Sequence, residues 1–476
     1  MQRVEVESVV PGEQAHLGVD LSFRGQYGRL FLTRLEELRP AALLSARKRW
    51  PNVPVAQTLG KAQHGTGTHI FVGITFKKLQ LRRDVLADFD EGFAPLKEVP
   101  QDGPLVHDAD RLYLEDSSGR IVLSTTGDMG DTNEDGSRQQ GLVLGHHVTG
   151  EVIAVLGHLG ENSVLQVRDW VRPAPLSTAP APSLGSKNKR LVAFVSGLRL
   201  SPNASHGNAV DLLVDYLVGL ADEEDEEIGQ VCRVIIAGDS VVDSELDPRD
   251  LKTRDRLQRR DVVKSLSLLD ALLAQLALAV PVDLIPGETD PSNVAMPRPP
   301  LHAAFFPLSS QLAGLTRASD PHEISVDGTV LLGTRPGTRL TNYAYSAAGT
   351  GGSNLVSMRK ACTFEHDIDV LGTLCTSQCI SPVAGDMESA APIDTGSDPF
   401  LLRRAPHVMF AGCAKKFAYK RVVHGRGGGD NIYAHAKKGE TETLCVCVPD
   451  FSQTGQLVLL DLDSWEAHTV AFDLEA

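Results

Sequence analysis

The residues with chemistry to offer gather at four glycine-marked breaks, each following an apolar run. Leu191 to Val195 leads into Ser196-Gly197-Leu198, and Val231 to Ala237 leads into Gly238-Asp239-Ser240-Val241-Val242-Asp243. Val282 to Ile285 is followed by Pro286-Gly287-Glu288-Thr289-Asp290-Pro291, and Val408 to Phe410 by Ala411-Gly412-Cys413-Ala414-Lys415. Asp239, Asp243, Glu288 and Asp290 are hard oxygen donors, the type that holds divalent cations and orients a metal-bound hydroxide. The remaining positions work against that chemistry. Ser196 and Leu198 are not credible ligands, Cys413 stands alone, and Lys415 would repel a cation. Two or three carboxylates without imidazoles do not hold a dinuclear centre tightly. Asp239 and Asp243 are therefore expected to be acceptors that shape their loops, with no catalytic residue, no metal and no cofactor.

Apolar runs of strand length that lack alternation are what strands covered on both faces require. Between them lie a helix over 210–220 and a long amphipathic helix over 252–280, with Val262, Leu266, Leu269, Leu273 and Leu276 on one stripe. Strands alternating with helices predict a layered α/β domain over 189–476, with its loops beyond the carboxyl ends of the strands. Lys252, Arg254, Arg256, Arg259 and Arg260 on the long helix read as a solvated face, with a phosphate or partner contact as the alternative. The acidic run 222–227 reads as a solvated loop.

The first part of the chain has another rhythm. Phe31, Leu35, Leu38, Leu43, Ala46 and Trp50 recur at helical spacing, so 1–50 is expected to be a helical segment, two short helices broken near Pro40. From Thr68 the period changes to two: Ile70, Val72, Ile74 and Phe76 mark a half-buried strand. Hairpins follow, 112–123 around Asp116-Ser117-Ser118-Gly119 and 152–167 around Gly160-Glu161-Asn162. Five short strands over 51–171 suggest a small barrel of the OB type. The polar, glycine-rich stretch 125–141 is expected to be a mobile insertion. A Pro/Ala/Ser-rich linker over 172–188 separates barrel from α/β domain. Gly65-Thr66-Gly67 and Gly425 to Gly429 precede no helix start, so they are loops rather than phosphate cradles.

The chain has 476 residues, with 46 Lys plus Arg against 61 Asp plus Glu and a net charge of −15. That balance argues against gripping nucleic acid unaided, since such affinity comes from neutralising phosphates. Met1 to Asp20 has no signal-peptide core, and no uninterrupted apolar run approaches the ~20 residues that span a bilayer. The seven cysteines are thus expected to be reduced thiols in the cytosol or nucleus. Cys375 with Cys379 and Cys445 with Cys447 could in principle ligate zinc, but neither pair has a companion at zinc-ribbon spacing; buried structural thiols are the favoured reading.

The order of the four breaks resembles the calcineurin-like metallophosphoesterases, whose loops read Asp-x-His, Gly-Asp-x-x-Asp, Gly-Asn-His-Asp and Gly-His-x-His. Here Ser196 and Leu198 stand for the first pair, Glu288-Thr289 for Asn-His, and Cys413 and Lys415 for the last histidines. A retained frame without its ligands resembles the small, B-type subunits of the replicative DNA polymerases. The likeness is carried by Gly287 to Asn293, Pro300-Leu301-His302 and Phe306-Pro307-Leu308. It narrows to the delta branch through Ile324 to Gly333, Asp398-Pro399-Phe400, Ala405-Pro406-His407-Val408 and Val448-Pro449-Asp450-Phe451-Ser452. Arg49-Trp50, Val72 to Lys77, Leu114-Glu115-Asp116 and Val148-Thr149-Gly150 fit the same branch, so the resemblance runs over 25–475 in order. The family's His-Ile-Ser-Pro is Cys379-Ile380-Ser381-Pro382 here, and its late Gly-Asn is Gly412-Cys413.

The resemblance implies an OB-fold barrel packed on an inactive, metallophosphoesterase-like layered α/β domain. It implies a nuclear scaffold subunit for replication and repair synthesis. Its expected partners are the cysteine-rich C-terminal domain of the DNA polymerase delta catalytic subunit and a third delta accessory subunit. PCNA is reached indirectly, DNA only through the holoenzyme, and no membrane is involved. One rival reading is a metal-dependent phosphodiesterase or 3′–5′ nuclease. Another is an independent single-strand binder using Phe71, Tyr113 and Trp170 on the barrel.

Overall fold

In a computed structural model the described residues are 3–4, 6–9, 26–61, 67–80, 109–124, 142–160, 163–178, 189–202, 207–220, 226–242, 257–334, 367–386, 388–392, 398–427, 431–433 and 435–473. The insertion at 125–141, Asp243, Gly65, Thr66, Gly428, Gly429 and the start of the basic helix (252–256) lie outside them.

The barrel comprises β2 (His69–Lys78), β3 (Arg111–Asp116), β4 (Gly119–Leu123), β5 (Val152–Leu159) and β6 (Val164–Val171), closed in the order β2-β3-β4-β6-β5. β4 pairs parallel with β6 while the other pairs are antiparallel. Phe71, Leu112, Leu114, Leu123, Ile153, Val155, Leu165 and Trp170 fill its interior. Period-two reading of β2 gives a half-buried strand, yet both of its faces are covered from Ile70 to Thr75. Ile70, Val72 and Ile74 point out of the barrel into a second core shared with the rest of the chain.

The element that covers them corrects the expectation of two short helices. Tyr27–Arg49 is one helix, α1, with Pro40 inside it. A proline there removes the bond to the carbonyl of residue 36, but Glu36 and Pro40 both face solvent, where water can satisfy that carbonyl. The inner stripe of Leu30, Leu35, Leu38, Ala42 and Ala46 stays buried and carries the helix past the proline. Arg47, Lys48 and Arg49 fall in the last turn, where cations complement the helix dipole. Arg49 also pairs with Asp169 of β6 at 2.7 Å.

The α/β part stacks two six-stranded sheets. The first has the order β1-β11-β12-β13-β15-β14, and the second β10-β9-β8-β7-β16-β17. The strands of the first are β1 (Ser8–Val9), β11 (His322–Val326), β12 (Thr329–Thr334), β13 (Val408–Ala414), β14 (Ala418–Val423) and β15 (Glu442–Pro449). Those of the second are β7 (Leu191–Val195), β8 (Val231–Ala237), β9 (Val282–Ile285), β10 (Leu315–Arg317), β16 (Gln456–Asp461) and β17 (Ala467–Ala471). Phe194 of β7 meets Phe410 of β13 with ring centroids 4.8 Å apart in the layer between the sheets. Gly333 lets that ring in, because a Cβ there would lie 1.8 Å from Phe410 Cζ.

α2 (Gly207–Val218), α3 (Glu226–Gln230) and α4 (Leu257–Ala279) accompany the second sheet, so the acidic run ends in a short helix rather than wholly in a loop. By length and composition Asp261–Ala279 could cross a membrane. Leu266, Leu269, Leu273 and Leu276 are instead buried with Val234, Ile236 and Leu284, and a core helix passes the same test. On the outer face of the first sheet, α5 (Asp367–Thr376), α1 and the barrel converge on Leu332, Met409, Ala411, Cys445 and Cys447. Residues before α1 also depart from the expected helical segment: Ser8 and Val9 pair with β11, and Glu7 N–H donates to Asp327 Oδ1.

Arg34 ties the three parts together. It is wholly buried, donates Nε to Asp398 Oδ2 at 2.6 Å, and donates Nη1 to the carbonyls of Gly150 (3.1 Å) and Pro382 (2.6 Å). Gly150 has φ +89°, and a Cβ there would fall 2.0 Å from Pro382 O. Breaking a buried pair from one side strands the other charge, at a cost of about 3–5 kcal/mol. Urea unfolding of Arg34→Met should show a loss of that size. The paired variant Arg34→Met with Asp398→Leu should recover most of it, and equal loss in both would refute the pairing as its cause.

Candidate functional site

The carboxyl ends of β7, β8, β9, β13 and β15 converge, and their loops lock onto one another. Gly197 N–H donates to Gly238 O (2.9 Å), Arg199 N–H to Asp239 O (3.0 Å) and Leu200 N–H to Ser240 O (2.9 Å). Cys413 N–H donates to Ser196 Oγ (2.8 Å), which in turn donates to Pro449 O (3.0 Å). Arg199, Asp239 and Cys413 have φ of 45°, 54° and 54°, a left-handed conformation unfavourable for residues with a Cβ. It persists because the surrounding hydrogen bonds determine the path. Gly287 completes the closure: a Cβ there would lie 2.2 Å from Asp239 Oδ1.

The positions singled out in the sequence have separate fates. Asp239 is fully buried and accepts Thr289 N–H at 3.1 Å. Asp290 accepts Val241 N–H (2.9 Å) and Gly287 N–H (2.7 Å), so it braces two loops. Ser196 is the buried link just described. Cys413, expected on a loop, instead belongs to β13, which extends to Ala414. Glu288 is exposed, 3.8 Å from Arg298. Leu198 is core. Lys415 is exposed, and its N–H donates to Asp367 at 2.8 Å. Cys379 lies by Arg34 and Asp398, where burial pushes its thiol up to about 12. The loops thus gather Ser196, Asp239, Asp290 and Cys413, and among the described residues no group of three or more His, Cys, Asp or Glu is arranged to hold a metal.

Two residues not anticipated explain how the loops manage their charge. Arg199 donates Nε to Asp450 Oδ2 at 3.0 Å, and its Nη2 lies 3.0 Å from the same oxygen and 3.6 Å from Asp239 Oδ2. A fixed guanidinium thus stands between two buried carboxylates, where a cation-binding site would place an ion. Asp450 also caps α6 (Phe451–Thr454), accepting from Ser452 N–H and Ser452 Oγ. The available signal was Arg199 directly after Ser196-Gly197-Leu198, and an aspartate in Val448-Pro449-Asp450.

The six described cysteines are free thiols, five of them buried. Cys445 and Cys447 share one face of β15, but Cys375 and Cys379 have different neighbours. Cys375 instead hydrogen-bonds Cys445, with His424 Nε2 3.8 Å from its sulfur. Burial pushes the Cys375 thiol up, but the bond to Cys445 and the neighbouring His424 outweigh that and lower it. Phe71 and Trp170, named as surface aromatics, line the barrel interior instead.

Two family models match. The OB-fold domain of DNA polymerase delta subunits covers residues 26–170, and the B-type subunits of DNA polymerases alpha and epsilon cover 192–419. The first begins at α1, in keeping with a helix that packs as part of the barrel. The chain is 29% identical to a DNA polymerase delta small subunit of Arabidopsis thaliana over 95% of this chain and 92% of that one. It is 27% identical to DNA polymerase delta subunit 2 of Drosophila melanogaster, over 95% of each. The delta small subunit of Saccharomyces cerevisiae is 29% identical over 77% of this chain and 71% of its own.

If Arg199 supplies the positive charge of the site, millimolar Mn²⁺ should leave the melting temperature of the wild-type chain unchanged. Arg199→Ala should cost roughly 1–2 kcal/mol, less than a fully buried pair because Arg199 is about a third exposed. Mn²⁺ should restore part of that loss by joining Asp239 to Asp450. Calorimetry showing Mn²⁺ stabilising the wild type as strongly as the variant would refute this reading.

Proposed function

We propose that this chain, a member of the family of DNA polymerase delta small subunits, serves as the non-catalytic scaffold of a delta-type polymerase. The observation that carries the proposal is the Arg199 guanidinium held between Asp239 and Asp450. A hydrolytic site of the two-metal kind needs divalent charge to activate water and stabilise the leaving oxygen. Here the described parts of those loops are hydrogen-bonded to one another, and a guanidinium already offsets part of the negative charge of Asp239 and Asp450. The frame is read as a metallophosphoesterase-like domain that has exchanged catalysis for rigidity.

Fusion of barrel and α/β domain supports the scaffold role. α1, the outer face of β2, α5 and the first sheet share one core, so barrel and sheets offer a composite surface that neither part has alone. An obligate interface on such a surface buries about 2,000 Å² or more. The assigned partners are the cysteine-rich C-terminal domain of the delta catalytic subunit and a further accessory subunit, with PCNA reached through the holoenzyme. The site of action is the nucleus, in replication and repair synthesis. The metal-dependent phosphodiesterase reading is disfavoured by Arg199 itself.

Co-expression with the catalytic subunit should yield a soluble stoichiometric complex. Ligand at a hundredfold excess over Kd stabilises by about 2.7 kcal/mol, so the complex should melt above the free chain. Removing 125–141 should leave that gain intact. A free chain whose melting point is indifferent to the catalytic subunit, or which hydrolyses a chromogenic phosphodiester with Mn²⁺, would overturn the assignment.

A further inference from the structure

The first sheet of the α/β part ends on a strand that is open on one side. β14 lies at the edge of that sheet and pairs with β15 alone. In an antiparallel pair, alternate residues turn their backbone groups toward the partner strand and the others turn them away. Two observations fix which residues do so. Val423 N–H donates away from β15, to Ile432 O at 2.8 Å. Leu444, opposite Arg421, donates its own N–H to His407 O (2.9 Å) on the far side of β15. Tyr419 and Arg421 share the parity of Val423, so their N–H and C=O groups point outward. Ile432 closes the ladder at Val423, whereas Tyr419 and Arg421 meet no backbone partner among the described residues.

Charge sorts the possible occupants of this edge. Lys415 and Lys416 are exposed just before the strand, and the segment that closes its far end carries exposed Lys437 and Lys438. None of these ammonium groups is paired with a carboxylate among the described residues, on a chain whose net charge is −15. The neighbouring carboxylates are already engaged: Asp367 by Lys415 N–H, Asp369 by Lys420 and Tyr433, Glu440 by Arg426 and Glu442 by Arg421. A second copy of β14 would set lysine against lysine, the arrangement that keeps sheet edges apart. A nucleic acid answers the charge but has no alternating N–H and C=O groups with which to extend a ladder. An extended acidic peptide answers both. Exposed Tyr419, its ring 5.7 Å from that of half-buried Phe417, adds an apolar patch for every second side chain of such a strand.

We propose that the open edge of β14, bracketed by Lys415, Lys416, Lys437 and Lys438, is a docking site for an extended acidic peptide of another protein, which adds a seventh strand to this six-stranded sheet. Main-chain hydrogen bonds to Tyr419 and Arg421 supply the affinity, and the lysines select for negative charge. Such docking needs only the sheet edge, so it stands or falls separately from the scaffold assignment.

The test is fluorescence anisotropy of the full chain with a short labelled peptide of alternating Glu and Val, a probe that is extended, acidic and able to add to an edge. It should bind in the micromolar range, and its counterpart with Lys for Glu should not. The same acidic peptide N-methylated at every residue keeps its charge but has no backbone donors, and should bind about tenfold more weakly. Tyr419→Pro removes an N–H that faces away from β15, so the native ladder survives while the outer edge is blocked. It should weaken the acidic peptide by a similar factor. Lys415→Glu together with Lys416→Glu should weaken it as well and flatten its salt dependence. Should Tyr419→Pro disturb folding, the methylated peptide still tests the ladder on the unaltered protein. Equal binding of the methylated and unmethylated peptides, or tighter binding of oligo-dT than of the acidic peptide at equal charge, would overturn the proposal. So would self-association of the free chain that Tyr419→Pro abolishes, since a second copy would then occupy the edge.

Discussion

A buried arginine fixes the geometry on which everything else rests. Arg34 has no water to solvate it, and a guanidinium in that position is tolerable only if its donors are met. Its acceptors come from distant parts of the chain: Gly150 at the base of the barrel, Pro382 after α5, and Asp398. Satisfying one charge therefore requires the barrel and the α/β part to be docked in one arrangement. The apolar contacts around it supply the bulk of the stabilisation but are less particular about register. Gly150 shows how closely the parts approach, since even a methyl group would collide with Pro382.

A similar logic operates at the strand-end loops, at smaller scale. Loops of this kind converge by topology, so carboxylates such as Asp239 and Asp450 come together whatever chemistry they serve. Left alone they would repel. A protein can meet that repulsion with bound ions or with its own cation, and here Arg199 provides the latter. The loops also carry backbone strain at Arg199, Asp239 and Cys413, held in place by their own hydrogen bonds. Asp290 contributes in a quieter way, accepting two backbone N–H groups that would otherwise be unsatisfied in a closed site.

Much of this was legible in the sequence where local pattern and tertiary context agree. Apolar runs such as Leu191–Val195 and Val282–Ile285 are strands with those limits, because a strand buried on both faces carries no competing polar signal. The hairpin around Asp116-Ser117-Ser118-Gly119 is equally local, its turn held by Asp116 accepting from Ser118 and Gly119. Pro40 misled because its effect depends on which side of the helix faces water, and periodicity alone did not decide that. Phe71 and Trp170 misled for a related reason: which face of a barrel strand turns inward is set by closure, not by composition. Asp450 and Arg199 could not be paired from sequence, since 251 residues separate them. The spacing of Cys375 and Cys379 misled likewise, because Cys375 finds Cys445 across the fold rather than Cys379 along the helix end.

The spacing of the Arg34 contact along the chain also bears on how the protein is made. Arg34 and Asp398 are 364 residues apart, and Glu7 meets Asp327 across 320. At about 5–20 residues per second, a ribosome takes on the order of 20–70 s to supply Asp398 after Arg34 has appeared. During that interval the barrel can close, since all five of its strands are finished by Val171. α1 can pack on β2 and β5 in the same interval, but Arg34 then still lacks the Asp398 carboxylate and the Pro382 carbonyl. The latest-made segments, not the earliest, therefore decide when the Arg34 guanidinium is satisfied and the joint between barrel and sheets can close.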